Sequence, residues 1–292
     1  MDEAQAKPIG ARVSAWGEGP IWWANALHYV DIEGHAIVRL DPDSGAETVW
    51  DMGERVGTVV PRASGGYLYA GDHGIRSFDP GTGETRGLAD PEADKRPDNR
   101  FNDGKCDPAG RFWGGSISTV KKAGDANLYM LDTDGGLHVK LEGLTNSNGI
   151  CWSGEGGTLY HIDTPTREVR AFPFEPATGA LGKPMVVADT AEVGVEGSPD
   201  GMSIDTEGNL WIAMCHGGSV VCFDPRAPGT PPLHTIPIPA AETTACAFGG
   251  PKLDRLFVTT GQKQGAEEPD AGRVFVVDGL GVRGQAANAF AG

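Results

Sequence analysis

Short apolar runs recur along this chain at nearly regular intervals, and each leads through a turn into a second run. Six strand-like runs share an apolar anchor, at Leu27, Leu68, Phe112, Leu159, Leu210 and Leu256. The anchors are 41 to 51 residues apart, and a repeat of that length corresponds to one propeller blade of four strands. The pattern therefore predicts an all-β fold, a six-bladed β-propeller with four antiparallel strands in each blade.

Length and composition agree with this interpretation. The 292 residues would suffice for two ordinary domains, but a repeat that runs from end to end favours a single propeller domain over 1–292. The 44 glycines and 21 prolines are typical of many short strands joined by tight turns. No segment shows a sustained helical spacing of apolar residues, so we expect little helix.

A second pattern lies upstream of four anchors, where another strand is expected to begin. Each of these four strand starts carries a polar residue followed by glycine: Glu18-Gly19, Asp103-Gly104, Asn148-Gly149 and Asp200-Gly201. The polar residue stands 9 to 11 positions before its anchor, so the four side chains should converge on the propeller axis. Turn formation is the alternative explanation of Asp-Gly and Asn-Gly pairs, but it gives no reason for the shared phase.

Converging carboxylates repel one another unless a cation neutralises them. Glu18, Asn148 and Asp200 supply hard oxygen ligands, so we expect one divalent cation, with calcium, magnesium, manganese, iron(II) and zinc all open. Three roles stay open for Asp103: a further ligand through water, a general base, or a structural partner of Lys105. A structural zinc site of cysteines is not predicted, because the five cysteines lack the required spacing.

The segment before Asp103 suggests substrate contacts. We expect a surface loop over Pro91 to Asn99, after which Arg100 and Asn102 would reach over the channel mouth. A guanidinium there can donate paired hydrogen bonds to substrate oxygens. A solvated loop end is the alternative.

Charge excludes some classes of partner. The formal net charge is −16, and the acidic residues are spread through the turns, so nucleic-acid binding is not expected.

No apolar run approaches the roughly 20 residues needed to cross a bilayer, so no membrane association is expected. The N-terminus lacks the apolar core of a signal peptide, and we expect a cytoplasmic protein with reduced thiols. Oligomeric state is not readable from the chain.

Four phrases resemble the regucalcin and gluconolactonase family, which includes luciferin-regenerating enzyme. They are Gly17 to Trp22, Arg100 to Pro108, Asn146 to Ile150 and Pro199 to Met202. The resemblance implies a six-bladed propeller with one axial divalent cation that hydrolyses sugar lactones to aldonic acids. It also implies that Glu18, Asn148 and Asp200 bind the metal and that Arg100 and Asn102 contact substrate. One departure is that no carboxylate follows the strand over Phe112 to Val120, where regucalcin-like members place an acidic residue that helps to hold the sugar.

Lactone hydrolysis needs an electrophile at the carbonyl, an activated water and a means of placing the ring. The predicted general base is Asp200, with Asp103 as the second candidate. Two other functions are compatible with the sequence: a propeller phosphotriesterase or aryl esterase with a similar cation, and a non-catalytic calcium-binding propeller.

Overall fold

The strands form six antiparallel sheets around one axis, as the blades of a propeller, in a computed structural model that describes residues 5–262 and 267–292. The predicted six-bladed fold is confirmed. Blade one contains β2 (Gly17–Trp23), β3 (Ala26–Asp31), β4 (Ala36–Leu40) and β5 (Glu47–Asp51). Blade two contains β6 (Val56–Pro61), β7 (Tyr67–Gly71), β8 (Gly74–Phe78) and β9 (Thr85–Ala89). Blade three contains β10 (Asn99–Cys106), β11 (Phe112–Ser118), β12 (Ala126–Leu131) and β13 (Leu137–Leu144).

The second half of the chain repeats this order with one addition and one exchange. Blade four contains β14 (Ser147–Trp152), β15 (Thr158–Asp163), β16 (Glu168–Glu175) and β18 (Met185–Asp189), with the short β17 (Ala180–Leu181) also paired to β16. Blade five contains β19 (Ser198–Ile204), β20 (Leu210–Cys215), β21 (Ser219–Phe223) and β22 (His234–Pro237). Blade six contains β23 (Thr243–Gly249), β24 (Arg255–Thr260), β25 (Val274–Val277) and, as its outer strand, β1 (Ala6–Ile9). The N-terminal strand therefore closes the ring.

Over residues 5–262 and 267–292, helix is confined to two single turns of 3-10 type, at Ala93–Lys95 and Thr164–Thr166. Within the described residues, none of the helical segments has the length and apolar character needed to span a bilayer.

The hydrophobic core lies between neighbouring blades. All six predicted anchors occupy second strands and are fully buried, and the large apolar clusters join residues of adjacent blades. One such cluster packs Ile162 and Val169 of blade four against Met202 and Ile212 of blade five. Burial of apolar area between blades is therefore what fixes their positions around the axis.

A buried aspartate organises the turn that precedes two of the second strands. Asp205 is fully buried, and its Oδ1 accepts hydrogen bonds from the backbone N–H of Glu207 and Asn209, each at 2.9 Å. Its Oδ2 accepts from Trp211 Nε1 at 2.9 Å. Asp107 makes the corresponding bonds in blade three, to Arg111 and Trp113. In each of these blades one carboxylate joins a turn to the indole buried beside it.

The C-terminal tail, residues 284–292, crosses the face of the propeller where the innermost strands end. Gly284 donates to Leu253 O at 2.8 Å, Phe290 donates to Pro61 O at 2.9 Å, and Ala291 donates to Gly110 O at 2.9 Å. Between the tail and the channel lies a cavity of about 240 Å³, lined by residues 285–288 and by late residues of the innermost strands such as Trp22 and Ile204.

Replacing Asp205 should cost much of the fold stability. In Asp205→Ala the buried Asn209 N–H and Trp211 indole N–H lose their acceptor, as does the more exposed Glu207 N–H, so the free energy of unfolding should fall by about 3 kcal/mol or more. Urea denaturation measures this. Asp43→Ala is the matched control, since that side chain is 87% exposed, and its effect should stay within about 0.5 kcal/mol. Equal midpoints for the two variants would contradict the assigned role.

His28 should make stability depend on pH. Burial, with a smaller contribution from Arg39, lowers the pKa of His28 to about 4, and the imidazole lies 2.9 Å from the Tyr67 hydroxyl. Below about pH 6.5 the imidazole of His28 is protonated in the unfolded chain but stays neutral in the folded protein. The free energy of unfolding therefore falls as the pH drops from 6.5 to 4. The wild-type profile should be steeper than that of His28→Gln by up to about 1.4 kcal/mol per pH unit in this window. Parallel profiles in chemical denaturation would refute the assignment.

Candidate functional site

A shift in strand register recurs at the same place in every blade, between the innermost strand and its neighbour. In blade five the shift lies between Pro199 and Met202, so Asp200 falls inside it. In blade three it lies between Phe101 and Gly104 and contains Asn102 and Asp103. Glu18 and Asn148 border the shifts of blades one and four. Irregularities of this kind redirect side chains, and here the redirected positions are the predicted site residues.

The glycines beside these residues do not form hairpin turns. A Cβ on Gly149 would lie 2.6 Å from Asp200 O, and one on Gly201 would lie 2.3 Å from Ala245 Cβ. Both glycines are therefore needed because neighbouring innermost strands approach too closely for a side chain. The polar residue before each glycine is therefore the one whose side chain faces the axis.

A hydrogen-bond network sets the orientation of the Asn148 amide. The Thr164 hydroxyl donates to Pro199 O at 2.9 Å, so it accepts from Asn148 Nδ2, which lies at 2.8 Å. The oxygen Oδ1 of Asn148 is thereby turned toward Asn102, whose Nδ2 donates to it at 2.7 Å. A carbonyl oxygen has a second lone pair, so Asn148 Oδ1 is still able to bind a cation.

Arg100 and Asn102 extend this network. Asn102 Nδ2 also donates to Asn146 Oδ1 and Ser147 O, and Asn102 Oδ1 accepts from an Arg100 guanidinium nitrogen at 2.9 Å. The structure thus places Asn102 between Arg100 and Asn148, with its amide protons bound to protein oxygens.

The Arg100 guanidinium is buried without a carboxylate partner among the described residues, and its Nε has no hydrogen-bond partner there. Burial, followed by repulsion from Arg55, lowers the pKa of Arg100 to about 10. An unpaired buried donor is costly, so this side chain is suited to meet oxygens of a bound molecule.

Three carboxyl groups are buried around the axis. Burial, and then the charge of Asp103, raises the pKa of Glu18 to about 8. Burial raises the pKa of Asp103 as well. It raises the pKa of Asp200 well above its usual value, with further contributions from Glu18 and Asp103. These acids destabilise one another's charged forms.

The three carboxyl groups are not equivalent. Glu18 and Asp200 are close enough to share a hydrogen bond when one is protonated. Glu18, Asp103 and Asp200 are all described by the structure, but they do not offer one carboxylate oxygen each such that all three oxygens lie within 4.8 Å of one another. Asp103 and Lys105 line a small cavity that neither Glu18 nor Asp200 lines, and Lys105 Nζ donates to Met202 O. Asp103 therefore has surroundings different from those of the Glu18 and Asp200 pair, although its charge still acts on both.

The donor set fits a divalent cation. Glu18, Asp200 and Asn148 offer hard oxygens from three blades, all at most 6% exposed. The two carboxylates lack an ion pair with lysine or arginine within the described part of the chain. A cation would reverse the electrostatic cost of burying them.

Several contributors to this site were missed by the sequence analysis. Thr164 orients Asn148, and Cys215 lies within hydrogen-bonding reach of Asp200, yet neither belongs to a polar-glycine pair. The predicted surface loop from Pro91 to Asn99 is wrong at two positions, because Glu92 and Asn99 are buried. Glu92 accepts from Asn99 Nδ2 at 3.0 Å, which anchors the residue before Arg100.

Fold and site together define a six-bladed propeller with an acidic centre on its axis. The family profile described as SMP-30/Gluconolactonase/LRE-like region matches residues 16–262. The chain belongs to this family, as the sequence resemblance indicated. It is 37% identical to regucalcin of Danio rerio over 277 residues, which cover 92% of each chain.

Solved structures agree with this assignment. A calcium-binding protein named regucalcin from Agrobacterium tumefaciens is similar with a TM-score of 0.90 and 26% identity, over 99% of this chain and 98% of that one. A luciferin-regenerating enzyme is similar with a TM-score of 0.89 and 27% identity, over 95% and 96% of the two chains.

If the axial oxygens bind a cation, calcium or magnesium should stabilise the wild type and not the Asp200→Asn variant. At a free metal concentration of one hundred times Kd the gain is about 2.7 kcal/mol, seen as a higher Tm than in chelator. In chelator, Asp200→Asn should be at least as stable as the wild type, because it removes one of the mutually repelling acids. Asp43→Asn is the matched control and should respond to metal as the wild type does. A metal-induced rise in Tm for Asp200→Asn equal to that of the wild type would contradict the site.

Proposed function

We propose that this protein hydrolyses a sugar lactone to the aldonic acid with one divalent cation bound by Glu18, Asn148 and Asp200. The observation that carries the proposal is the burial of these oxygens at the axis, next to an Arg100 guanidinium that lacks a carboxylate partner among the described residues. The gluconolactonase name within the family description supports the same substrate class.

A divalent cation bound there would polarise the lactone carbonyl and lower the pKa of the attacking water. The protein supplies the remaining functions. Arg100 donates hydrogen bonds to oxygens of the sugar ring and to the oxygen that becomes negative as water attacks. Asn102 fixes the side chains of Arg100 and Asn148 relative to each other, because it is hydrogen-bonded to both.

The general base takes a proton from the water as its oxygen bonds to the carbonyl carbon. The bond from that carbon to the ring oxygen then breaks, and the ring oxygen receives a proton to become a hydroxyl. We assign the base to Asp200, and Asp103 is the alternative because it lies in the same channel with a raised pKa. The product is an anion, and the net charge of −16 favours its departure.

The two alternative functions make different demands on the site. A phosphotriesterase or aryl esterase would need an apolar pocket, whereas the side chains identified around the axis are acidic, amide and guanidinium groups. A non-catalytic calcium-binding propeller would use the same oxygen ligands. The name of the Agrobacterium relative describes calcium binding, so the experiment needs to distinguish lactone hydrolysis from calcium binding without catalysis.

The decisive experiment is a pH-indicator assay of metal-stripped protein. Glucono-, galactono-, xylono- and arabinono-lactones are supplied with calcium, magnesium, manganese, iron(II) or zinc added singly. We expect metal-dependent acid release from at least one lactone. Metal binding without faster hydrolysis of any of them would favour the calcium-binding alternative.

Variants then separate the roles. Asp200→Asn should lose metal binding and turnover together, whereas Asp103→Asn should keep metal binding and lose turnover only if Asp103 is the base. Arg100→Lys should lower kcat/KM by about tenfold to one hundredfold, because the charge stays and the paired donors are lost. Full activity in Asp200→Asn would rule out the assignment, and Asp43→Asn serves as the matched control.

A further inference from the structure

Cys215, His216 and Glu242 form a second group of potential metal ligands, outside the set proposed for the axis. The thiol, imidazole and carboxylate donor atoms all lie within 4.8 Å of one another. Glu242 Oε2 is 3.3 Å from Cys215 Sγ and 2.6 Å from His216 Nδ1. Two blades supply the trio, because Cys215 ends β20 and Glu242 directly precedes β23.

The backbone is arranged to bring the two neighbouring donors to one point. Consecutive residues of a strand normally point to opposite faces, which would separate Cys215 from His216. His216 instead has a φ of 65°, in the left-handed region that residues with a side chain seldom adopt. This turn places its imidazole against Glu242 while Cys215 still faces the same carboxylate. Unfavourable backbone conformations of this kind concentrate at functional sites.

The electrostatics of Glu242 also indicate a cation. The carboxylate is 5% exposed, and the only basic group within ion-pair distance of it in the described part of the chain is His216. An imidazole carries a positive charge only when protonated, so the buried carboxylate has no permanent counter-charge. Cys215 lies between two buried carboxyl groups, because its Sγ is 3.3 Å from Glu242 Oε2 and within hydrogen-bonding reach of Asp200. A bound cation would supply the missing charge.

We propose that Cys215, His216 and Glu242 bind zinc or a similar borderline metal at the rim of the channel. A thiolate, an imidazole and a carboxylate are typical zinc ligands, and three protein ligands leave a fourth position open. Zinc ligands at about 2.0 to 2.1 Å in tetrahedral geometry lie about 3.4 Å apart, so the imidazole and the carboxylate need to separate by only about 1 Å. The His216 side chain is 61% exposed and gives the metal access from solvent.

Cobalt(II) tests this proposal through a spectroscopic signature. Coordination of cobalt by a thiolate produces a charge-transfer band in the near ultraviolet, whereas the oxygen ligands of the axis cannot produce it. We expect the band when metal-stripped wild-type protein is titrated with cobalt. Added zinc should abolish it by displacing the cobalt, because zinc binds such ligands more tightly.

Four variants identify the residues that bind the cobalt responsible for this band. Cys215→Ser should abolish it, whereas Cys151→Ser, which removes another buried thiol, should keep it. Glu18→Gln should keep it because Glu18 is not one of the three proposed ligands. His216→Ala should weaken cobalt affinity by at least about tenfold, a loss seen even for groups that only support a metal ligand.

Absence of the band from the wild type, or its persistence in Cys215→Ser, would overturn the proposal. If Cys215→Ser does not fold by circular dichroism, the exposed His216 decides the question, and unchanged cobalt affinity in His216→Ala would overturn it equally. Lactone turnover is measured separately, so either outcome leaves the axial assignment to its own test.

Discussion

The close approach of the six innermost strands is the constraint on which the rest of the structure depends. At Gly149 and Gly201 the neighbouring strand lies so near that a single added carbon would collide with it. Strands that meet this tightly lose regular pairing, and the register shift in every blade is where that loss occurs. Glu18, Asn148 and Asp200 lie beside or within such shifts, so the packing of the innermost strands also decides which polar groups come together at the axis.

Packing of that kind gathers acids that would otherwise avoid one another. Glu18 and Asp200 are held by separate blades, and each blade is fixed by apolar contacts with its neighbours rather than by the acids. The propeller core therefore offsets the electrostatic cost of the centre. Asn148 carries no charge, and its amide is instead oriented by hydrogen bonds with Thr164 and Asn102.

The sequence predicted the structural features that recur in every blade. It did not predict the contacts that form only when strands distant in sequence pair. The spacing of anchors such as Leu27 and Leu210 was sufficient for the blade count, since one buried residue per blade recurs at similar intervals. No comparable signal marks Cys215, because its relation to Asp200 arises only when β19 and β20 pair. The burial of Glu92 was likewise unpredictable, because Ser116 and Tyr129, which donate to it, come from two other strands. The functional roles of Glu18, Asn148 and Asp200 stay predictions until the variants are measured.

The C-terminal tail lies across one end of the channel. Residues 285–288 line the cavity at the side where the innermost strands finish, whereas Glu18 and Asp200 stand where those strands begin. The tail therefore lies at the end of the channel opposite to these acids. If the proposed hydrolysis takes place at the axis, substrate and product would share the opening on the side of the acids, and slow product release would then lower the turnover rate.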